Sequence, residues 1–393
     1  MQLGKMTIGI PREIMPGEKR VAAIPETVGK MVAAGARVLV ETGAGAGAYM
    51  EDEDYRREGA EILSDVRELY RQAGVVMKVK EPLYHEEIGQ HETELFPENG
   101  VLVSFLHPAH DVNHEAIKAL ARRGITSYTL DGIPRISRAQ QMDALTSMST
   151  VAGYKAVIFG ANQLGRFIPM MPTPFGVIQP SQFLVVGTGV AGLQSIATAK
   201  RLGAKVKTLD IRPEASEQAR SLGAESIPFD VPLELAMGQG GYAQRLPEEW
   251  YQREREALAP HVEQSDVIIL TALIPGEVAP ILVTEDMVKG MKKGSVIVDV
   301  AVDQGGNCAL TRCGEACSYQ GVTIIGMMNI PATLPVDATR MFAQNAWHFL
   351  SYIAQDGSTK TDTTDEIIKE TLVTLGGRIV HRGTLLAMEM NPS

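Results

Sequence analysis

Cysteine is scarce: three residues in 393, Cys308, Cys313 and Cys317, fall within one short stretch with none elsewhere to pair with. An odd count at a spacing other than Cys-x-x-Cys predicts reduced thiols in a cytoplasmic setting and argues against a disulfide-held secreted domain. Structural zinc is not expected there, because it takes four ligands. Positive charge is also short, 37 Lys and Arg against 47 Asp and Glu, so 37 − 47 leaves a formal charge of −10. Nucleic acids and anionic bilayers need a cationic face, and neither is expected as a principal partner. Long apolar runs are missing too. The longest, Val267 to Val283, is interrupted by Pro275, Gly276 and Glu277, whereas a membrane helix needs about 18 apolar residues. The opening TIGIPREIMPGEKR carries no apolar core and no small-residue cleavage site of a secretory signal. Aromatics are only 5%, while 38 glycines and alanine-rich runs predict tight turns and helices packed closely on sheets. A 45% hydrophobic content is that of a globular chain with a substantial core, and the length predicts two domains at roughly 150 residues each.

What is present is alternation. Short β-branched runs predict strands near Thr7–Ile10, Arg37–Glu41, Val75–Lys78, Val101–Leu106 and Thr126–Leu130. A second series follows at Phe183–Val186, Lys205–Leu209, Val267–Leu270, Val296–Val300 and Thr323–Ile325. Helical patterns such as Pro25–Ala34 and Asn113–Arg123 separate them. Strand–helix alternation with continuously apolar strands predicts α/β domains, each built on a parallel sheet buried on both faces. One long helix is expected from Ser137 to Phe167, then a Pro-rich stretch, with the domain boundary in that region. The spacing of Met341, Phe342, Ala346, Phe349, Leu350 and Ile353 predicts a helix of period 3.6 that returns to the first domain, since the second sheet already looks complete. The charged run EEWYQREREAL at 248–258 reads as a solvated helix face. The first domain is therefore set at 1–144 with 336–393, and the second at 145–335.

The most informative motif is FLVVGTGVAGLQSIATAKRLGAKVKTLDIR. Gly187, Gly189 and Gly192 form Gly-x-Gly-x-x-Gly directly after an apolar strand and at the start of a helix. The first glycine permits a tight turn, the second lets the backbone approach a pyrophosphate, and the third allows close helix–strand packing. The helix start supplies free N–H groups and partial positive charge. Asp210 ends the next strand, where a carboxylate accepts hydrogen bonds from both ribose hydroxyls and repels a 2′-phosphate. That favours NAD over NADP, with the nearby Arg212 pulling slightly the other way. A second pattern, Gly43, Gly45 and Ala48, also follows a strand, but Glu51, Asp52, Glu53 and Asp54 come next and would repel a phosphate, so it is read as a bare turn. His107, His110 and His114 have an interrupted spacing, and no metal site is expected.

Several blocks resemble the alanine dehydrogenase and nicotinamide-nucleotide transhydrogenase family: GIPREIMPGEKRVAAIPETV, KVKEP at 78–82, GTGVAGLQSIATAKRLGA and VIVDVAVDQGGNC. Three others are similar to its transhydrogenase branch: IPRISRAQQMDALTSMSTVAGYKAV, GQGGYAQRL and TALIPGEVAPILVTEDMV. The resemblance implies two Rossmann-like domains with NAD(H) in the interdomain cleft and a homodimer. It also implies a membrane-spanning partner subunit and one that binds NADP(H), with the chain on the cytoplasmic side, peripheral on the inner membrane. Hydride would pass directly between NADH here and NADP⁺ on the partner. By motif, Arg135, Gln140 and Asp143 resemble the polar loop beside the nicotinamide, with Asp143 orienting Arg135, and Thr146 stands where the family usually has Ser. Val190, Ile211, Arg212, Thr271, Ala272 and Leu273 join the glycines and Asp210 at the nucleotide, and Tyr242 resembles the tyrosine of a mobile loop closing over it. The alternative is the dehydrogenase branch. Arg20, Lys80, His107 and Asp303 match positions that hold and protonate substrate in alanine dehydrogenase, where reductive amination needs an acid/base group. Direct hydride transfer needs none, only proximity and orientation.

Overall fold

The apolar runs become parallel strands of two sheets in the computed structural model, which describes residues 3–238, 243–274, 278–355 and 357–390. Contacts divide the chain into one unit of Met1–Met148 with Ala332–Ser393 and another of Ser149–Pro331. The expected α/β class with two parallel-dominated sheets holds.

In the first unit, eight strands lie in the order 378–379, 372–375, 126–129, 101–104, 75–77, 7–10, 37–41, 61–63. The last six are parallel, and Leu372–Leu375 adds antiparallel to Thr126–Thr129. Strand order reverses between Thr7–Ile10 and Val75–Met77, so the crevice at the carboxyl ends of those strands is where an open α/β sheet takes ligands. The tail, polar and then weakly β-patterned in sequence, supplies a helix, Glu366–Thr371, two strands of this sheet and a final helix, Arg382–Met390. Thr374 Oγ1 lies 2.6 Å from Ser127 Oγ and donates to the Ile125 carbonyl at 2.7 Å, deep in the sheet. The returning helix is Pro335–Ile353. Phe342, Phe349, Leu350 and Ile353 on its inner face are fully buried, each worth about 1.5–3 kcal/mol.

The second unit holds seven strands in the order 225–226, 205–209, 182–186, 267–270, 296–299, 322–325, 316–319. All pair in parallel except the edge strand Ala316–Tyr319, antiparallel to Val322–Ile325. The five expected strands therefore do not complete the sheet. Two short edge strands extend it, and their pairing comes from the neighbour rather than from an apolar run. Order reverses between Gln182–Val186 and Val267–Leu270. Strands Val267–Leu270 and Val296–Asp299 are buried at every position, with apolar clusters around Leu184, Leu258 and Ile297 on one face and Phe183, Ile196 and Val298 on the other.

Two expectations are corrected. The long helix from Ser137 is broken: Ser137–Met142 is 3₁₀, and the α-helix starts only at Ala144 and ends at Gln163. Asp143 causes the break, because its carboxylate accepts the Thr146 backbone N–H at 2.8 Å and the Thr146 hydroxyl at 2.7 Å, the geometry of an N-cap. The Pro-rich stretch that follows is a hairpin, Met171–Thr173 with Gly176–Ile178. Second, the charged helix Glu248–Gln264 is not simply a solvated face: Tyr251, Glu254 and Leu258 are buried. Burial lifts the Glu254 carboxyl to about 8, aided by the negative Asp210. Between the ordinary value and about 8, the native state keeps a proton that the unfolded chain has released. Stability therefore falls as pH rises through that window. Glu254→Gln should flatten the slope, by on the order of 1–3 kcal/mol across it, in denaturant midpoints measured from pH 5 to 8.5. An unchanged slope would show that Glu254 is not the titrating group.

Candidate functional site

At the switch point of the second sheet, strand Gln182–Val186 runs into Gly187 at φ +84°. A Cβ on Gly187 would sit 2.9 Å from the Ala272 nitrogen, and one on Gly192 would sit 2.0 Å from the Gly187 carbonyl oxygen. Neither position can carry a side chain without moving the backbone. Thr271 Oγ1 locks the approach by donating to the Gly187 carbonyl at 2.8 Å. Gly189 differs: nothing lies within 4 Å of its missing Cβ. It is the N-cap of helix Val190–Arg201, and no side chain caps that end. Open space over an uncapped 12-residue helix start suits a phosphate group.

Behind the adjoining loop stands a clamp with little trace in the sequence. Asn307, fully buried, accepts the Ala272 N–H at 3.0 Å and donates to the carbonyls of Ala272 at 2.8 Å and Pro280 at 2.9 Å. Asn307 is held in turn by Asp299, whose buried carboxylate accepts the N–H groups of Ala301, Asn307 and Cys308 and the Thr311 hydroxyl. Thr271 and Ala272 thus have a fixed backbone, with Leu273 next in the chain. The signal that could have found the clamp is the polar Asn-Cys after the Gly-Gly at 305–306.

Asp210 follows strand Lys205–Leu209 and is 8% exposed. Its carboxylate accepts the Thr188 N–H at 2.6 Å and the Thr188 hydroxyl at 3.1 Å, which ties it to the glycine loop. Arg212 occupies the remaining face, donating from Nε at 2.9 Å, Nη2 at 2.8 Å and its backbone N–H at 2.8 Å. An incoming ribose must therefore share this carboxylate with Arg212. Ile211 packs partly buried against the core. Tyr242 lies outside the described residues.

In the first unit, Arg135 and Gln140 are exposed on the segment leading to Asp143. That segment is pinned to the returning helix: Asn345 donates to the Gln141 carbonyl at 2.8 Å, and Arg138 donates to the Tyr352 hydroxyl at 3.0 Å and pairs with Asp365 at 3.3 Å. Asp143 caps its own helix through Thr146, a role its place in the motif did not suggest.

A second constellation gathers at the carboxyl ends of that unit's sheet. His107 follows strand Val101–Ser104 with φ +43°, an uncommon conformation for a residue with a side chain. Asp131 Oδ1 lies 2.7 Å from His107 Nδ1, while its Oδ2 accepts the His107 N–H at 2.9 Å and the Thr129 hydroxyl at 2.5 Å. Phe105 stacks on the ring at 5.7 Å. Burial disfavours charged imidazole, but the Asp131 carboxylate outweighs it, and the net effect raises the His107 pKa. Asp131 is held well below the usual carboxylate range: burial opposes this, and His107 overcomes it. Lys80 is close enough for its charge to work against protonated His107. Its backbone, with that of Val79, is held by the Glu13 carboxylate, at 2.5 Å from Val79 and 3.4 Å from Lys80. Arg20 is only 3% exposed, gripped by Glu18 through Nε at 2.8 Å and Nη2 at 2.6 Å, with Nη1 on Met148 Sδ. Asp303 is exposed on the 3₁₀ turn Val300–Gln304 of the other unit. At the Gly43 turn, Asp52 accepts the Gly43 N–H at 2.8 Å, so an acid already occupies a donor a phosphate would need.

A glycine loop at the switch point of a doubly wound sheet, in a chain that carries a second α/β unit, defines a Rossmann-type protein of the dinucleotide-binding kind. Family models described as Alanine dehydrogenase/PNT, N-terminal domain and C-terminal domain match residues 9–152 and 156–382, and the chain belongs to that family. It is 45% identical over 379 residues to an NAD(P) transhydrogenase alpha subunit of Rhodospirillum rubrum, covering 96% of this chain and 98% of that one. Against the alanine dehydrogenase of Bacillus subtilis, identity is 33% over 386 residues, covering 96% and 93%. Among solved structures, the transhydrogenase from Sinorhizobium meliloti superimposes with a TM-score of 0.83 at 37% identity, over 95% of this chain and all of that one. An L-alanine dehydrogenase gives 0.81 at 29%, over 98% and 99%.

The His107–Asp131 pair has a direct test. Followed by NMR at the imidazole Cε1–H, His107 should titrate above the ordinary histidine value of about 6.5. In Asp131→Asn it should fall below that value, because burial then acts alone. Identical titrations would mean that Asp131 does not govern the ring.

Proposed function

We propose that this chain is the NAD(H)-binding subunit of a proton-translocating nicotinamide-nucleotide transhydrogenase. The observation that carries the reading is the glycine loop locked to Thr271 and Ala272, with open space over Gly189, in a chain that matches a transhydrogenase subunit along nearly its whole length. Gly187, Gly189, Val190 and Gly192 would receive the pyrophosphate on the helix start. Asp210, Ile211 and Arg212 would take the adenosine ribose, and Thr271, Ala272 and Leu273 would border the nicotinamide side. When bound, the nicotinamide supplies or accepts a hydride, and NADP(H) is carried by a partner subunit. Arg135, Gln140 and Asp143 would orient the facing rings, with Thr146 fixing the Asp143 carboxylate. No proton-transfer group is required at the reacting carbon, so positioning is the chain's contribution. Among the described residues no helix is long and apolar enough to cross a membrane. Attachment to the inner membrane would be peripheral, on its cytoplasmic side, through a membrane-spanning partner subunit. A homodimer is supported by the hairpin 171–178, whose tip residue Phe175 is fully exposed beside half-exposed Val177.

A second reading, a dehydrogenase acting on an amino acid such as alanine, is favoured by one observation: His107 is oriented and charged by Asp131 with Lys80 nearby, as acid/base chemistry needs. The grip of Glu18 on Arg20 counts against it, because that guanidinium is already engaged.

Mixing the chain with NADH, pyruvate and ammonium should give no sustained absorbance loss, and hydride exchange with an NADP analogue should appear only when an NADP-binding subunit is added. Steady turnover of pyruvate without a partner would sink the transhydrogenase reading. Asp210→Ala should weaken NADH at least tenfold more than NADPH in fluorescence titrations, and equal losses would show that Asp210 does not read the ribose. Phe175→Glu should shift the dimer toward monomer in light scattering.

A further inference from the structure

Neither reading uses a small polar cavity at the carboxyl ends of strands Thr7–Ile10, Arg37–Glu41 and Glu61–Leu63, away from the switch point of that sheet. It encloses about 200 Å³ and is lined by Arg12, Glu41, Thr42, Asp65, His85 and Glu87, among others. Two of its polar atoms are buried without a hydrogen-bond partner among the described residues: Nε2 of His85, a residue only 3% exposed, and Nε of Arg12. The Glu41 carboxylate is 3.7 Å from Arg12 Nε, beyond hydrogen-bond reach, although its other oxygen accepts the Arg12 backbone N–H at 2.7 Å. Buried polar atoms in native proteins are almost always paired, so two of them facing one cavity point to a missing guest.

The wall also prescribes the guest's chemistry. Arg12 Nε is a donor only, and it calls for an acceptor such as a carboxylate oxygen. Glu87 already holds Arg12 Nη2 at 2.8 Å, and Asp65 caps the Arg67 N–H. That leaves Glu41 as the carboxylate short of a cation. Burial raises its carboxyl more than Arg12 and His85 lower it, the balance expected where a positive group is missing. An acceptor facing Arg12 and His85, together with a cation facing Glu41, describes a zwitterion, and the volume limits it to a small one. We propose that this cavity binds a small free α-amino acid, its carboxylate on Arg12 and His85 and its ammonium on Glu41, at a site separate from both the glycine loop and the His107–Asp131 pair.

Calorimetry on the full chain, with glycine, acetate and methylammonium as probes, tests this. Glycine should bind at least tenfold more tightly than either half-molecule and should shift the His85 Cε1–H resonance. Glu41→Gln and His85→Leu should each weaken it tenfold or more, and Lys80→Ala should leave it unchanged. His85→Leu removes an unpartnered buried atom and is expected to fold. Glu41→Gln keeps the shape of the wall and decides the matter should His85→Leu not fold. Equal binding of acetate or methylammonium would overturn the zwitterion. Loss of glycine binding in Lys80→Ala alone would move the ligand to the His107 side. No binding by any probe, with a higher melting temperature for His85→Leu, would show a cavity that holds only water.

Discussion

Much in the second unit depends on one close approach. The loop after Val186 and the loop after Leu270 meet so tightly that a methyl group on Gly187 would lie 2.9 Å from the Ala272 nitrogen. Thr271 then bonds across the gap, Asn307 holds Ala272 from behind, and Asp299 holds Asn307. Each member is buried and hydrogen-bonded, so the chain of contacts costs little desolvation beyond what its bonds return. The result is a rigid floor in which the open position is Gly189. A surface that must accept a pyrophosphate without reorganising is best built this way, since binding then orders little of the protein.

The first unit shows the opposite electrostatic habit, with charge buried inside it. Lys78, fully buried, is shared by Glu92 at 2.7 Å and Glu13 at 3.4 Å, and Tyr70 donates to Glu92 at 3.0 Å. Two carboxylates around one ammonium leave an excess, and burial pushes Glu13 up to about 7 in spite of Lys78. Such clusters add little net stability, since desolvation offsets their attraction. What Glu13 adds is direction, because the same carboxylate receives the backbone of Val79 and Lys80 and so sets where the strand leaves the sheet.

Much of this architecture was legible in the sequence, and for definite reasons. Thr7–Ile10, Arg37–Glu41, Lys205–Leu209 and Val267–Leu270 are apolar or β-branched runs closed by glycine or polar turns, and their ends agree to the residue. Glu61–Leu63, Glu225–Ser226 and Ala316–Tyr319 were not legible, because an edge strand of two to four residues has its pairing imposed by its neighbour. The helix break at Asp143 was missed for a different reason. An Asp followed three residues later by a Thr reads equally as helix interior or as a cap, and only the fold decides. The glycine loop was clear because its spacing is its chemistry. Asp131 was hidden, since it meets His107 from 24 residues away, after an adjacent strand. Glu254 sat unnoticed in a charged run where one helical position in several turns inward.

The route of the chain through its two units bears on how the protein is made. The first unit holds residues from both ends, with 149–331 inserted between them, and its sheet gains Leu372–Leu375 only from the tail. A chain leaving the ribosome exposes Thr126–Thr129 as an open sheet edge while the whole second unit is still being synthesised. That second unit is contiguous in sequence and able to fold as soon as it emerges. The order of completion is thus inverted relative to the order of synthesis. During that interval the unfinished edge, rich in backbone groups awaiting a partner, is the part of the nascent chain most open to mispairing with another copy.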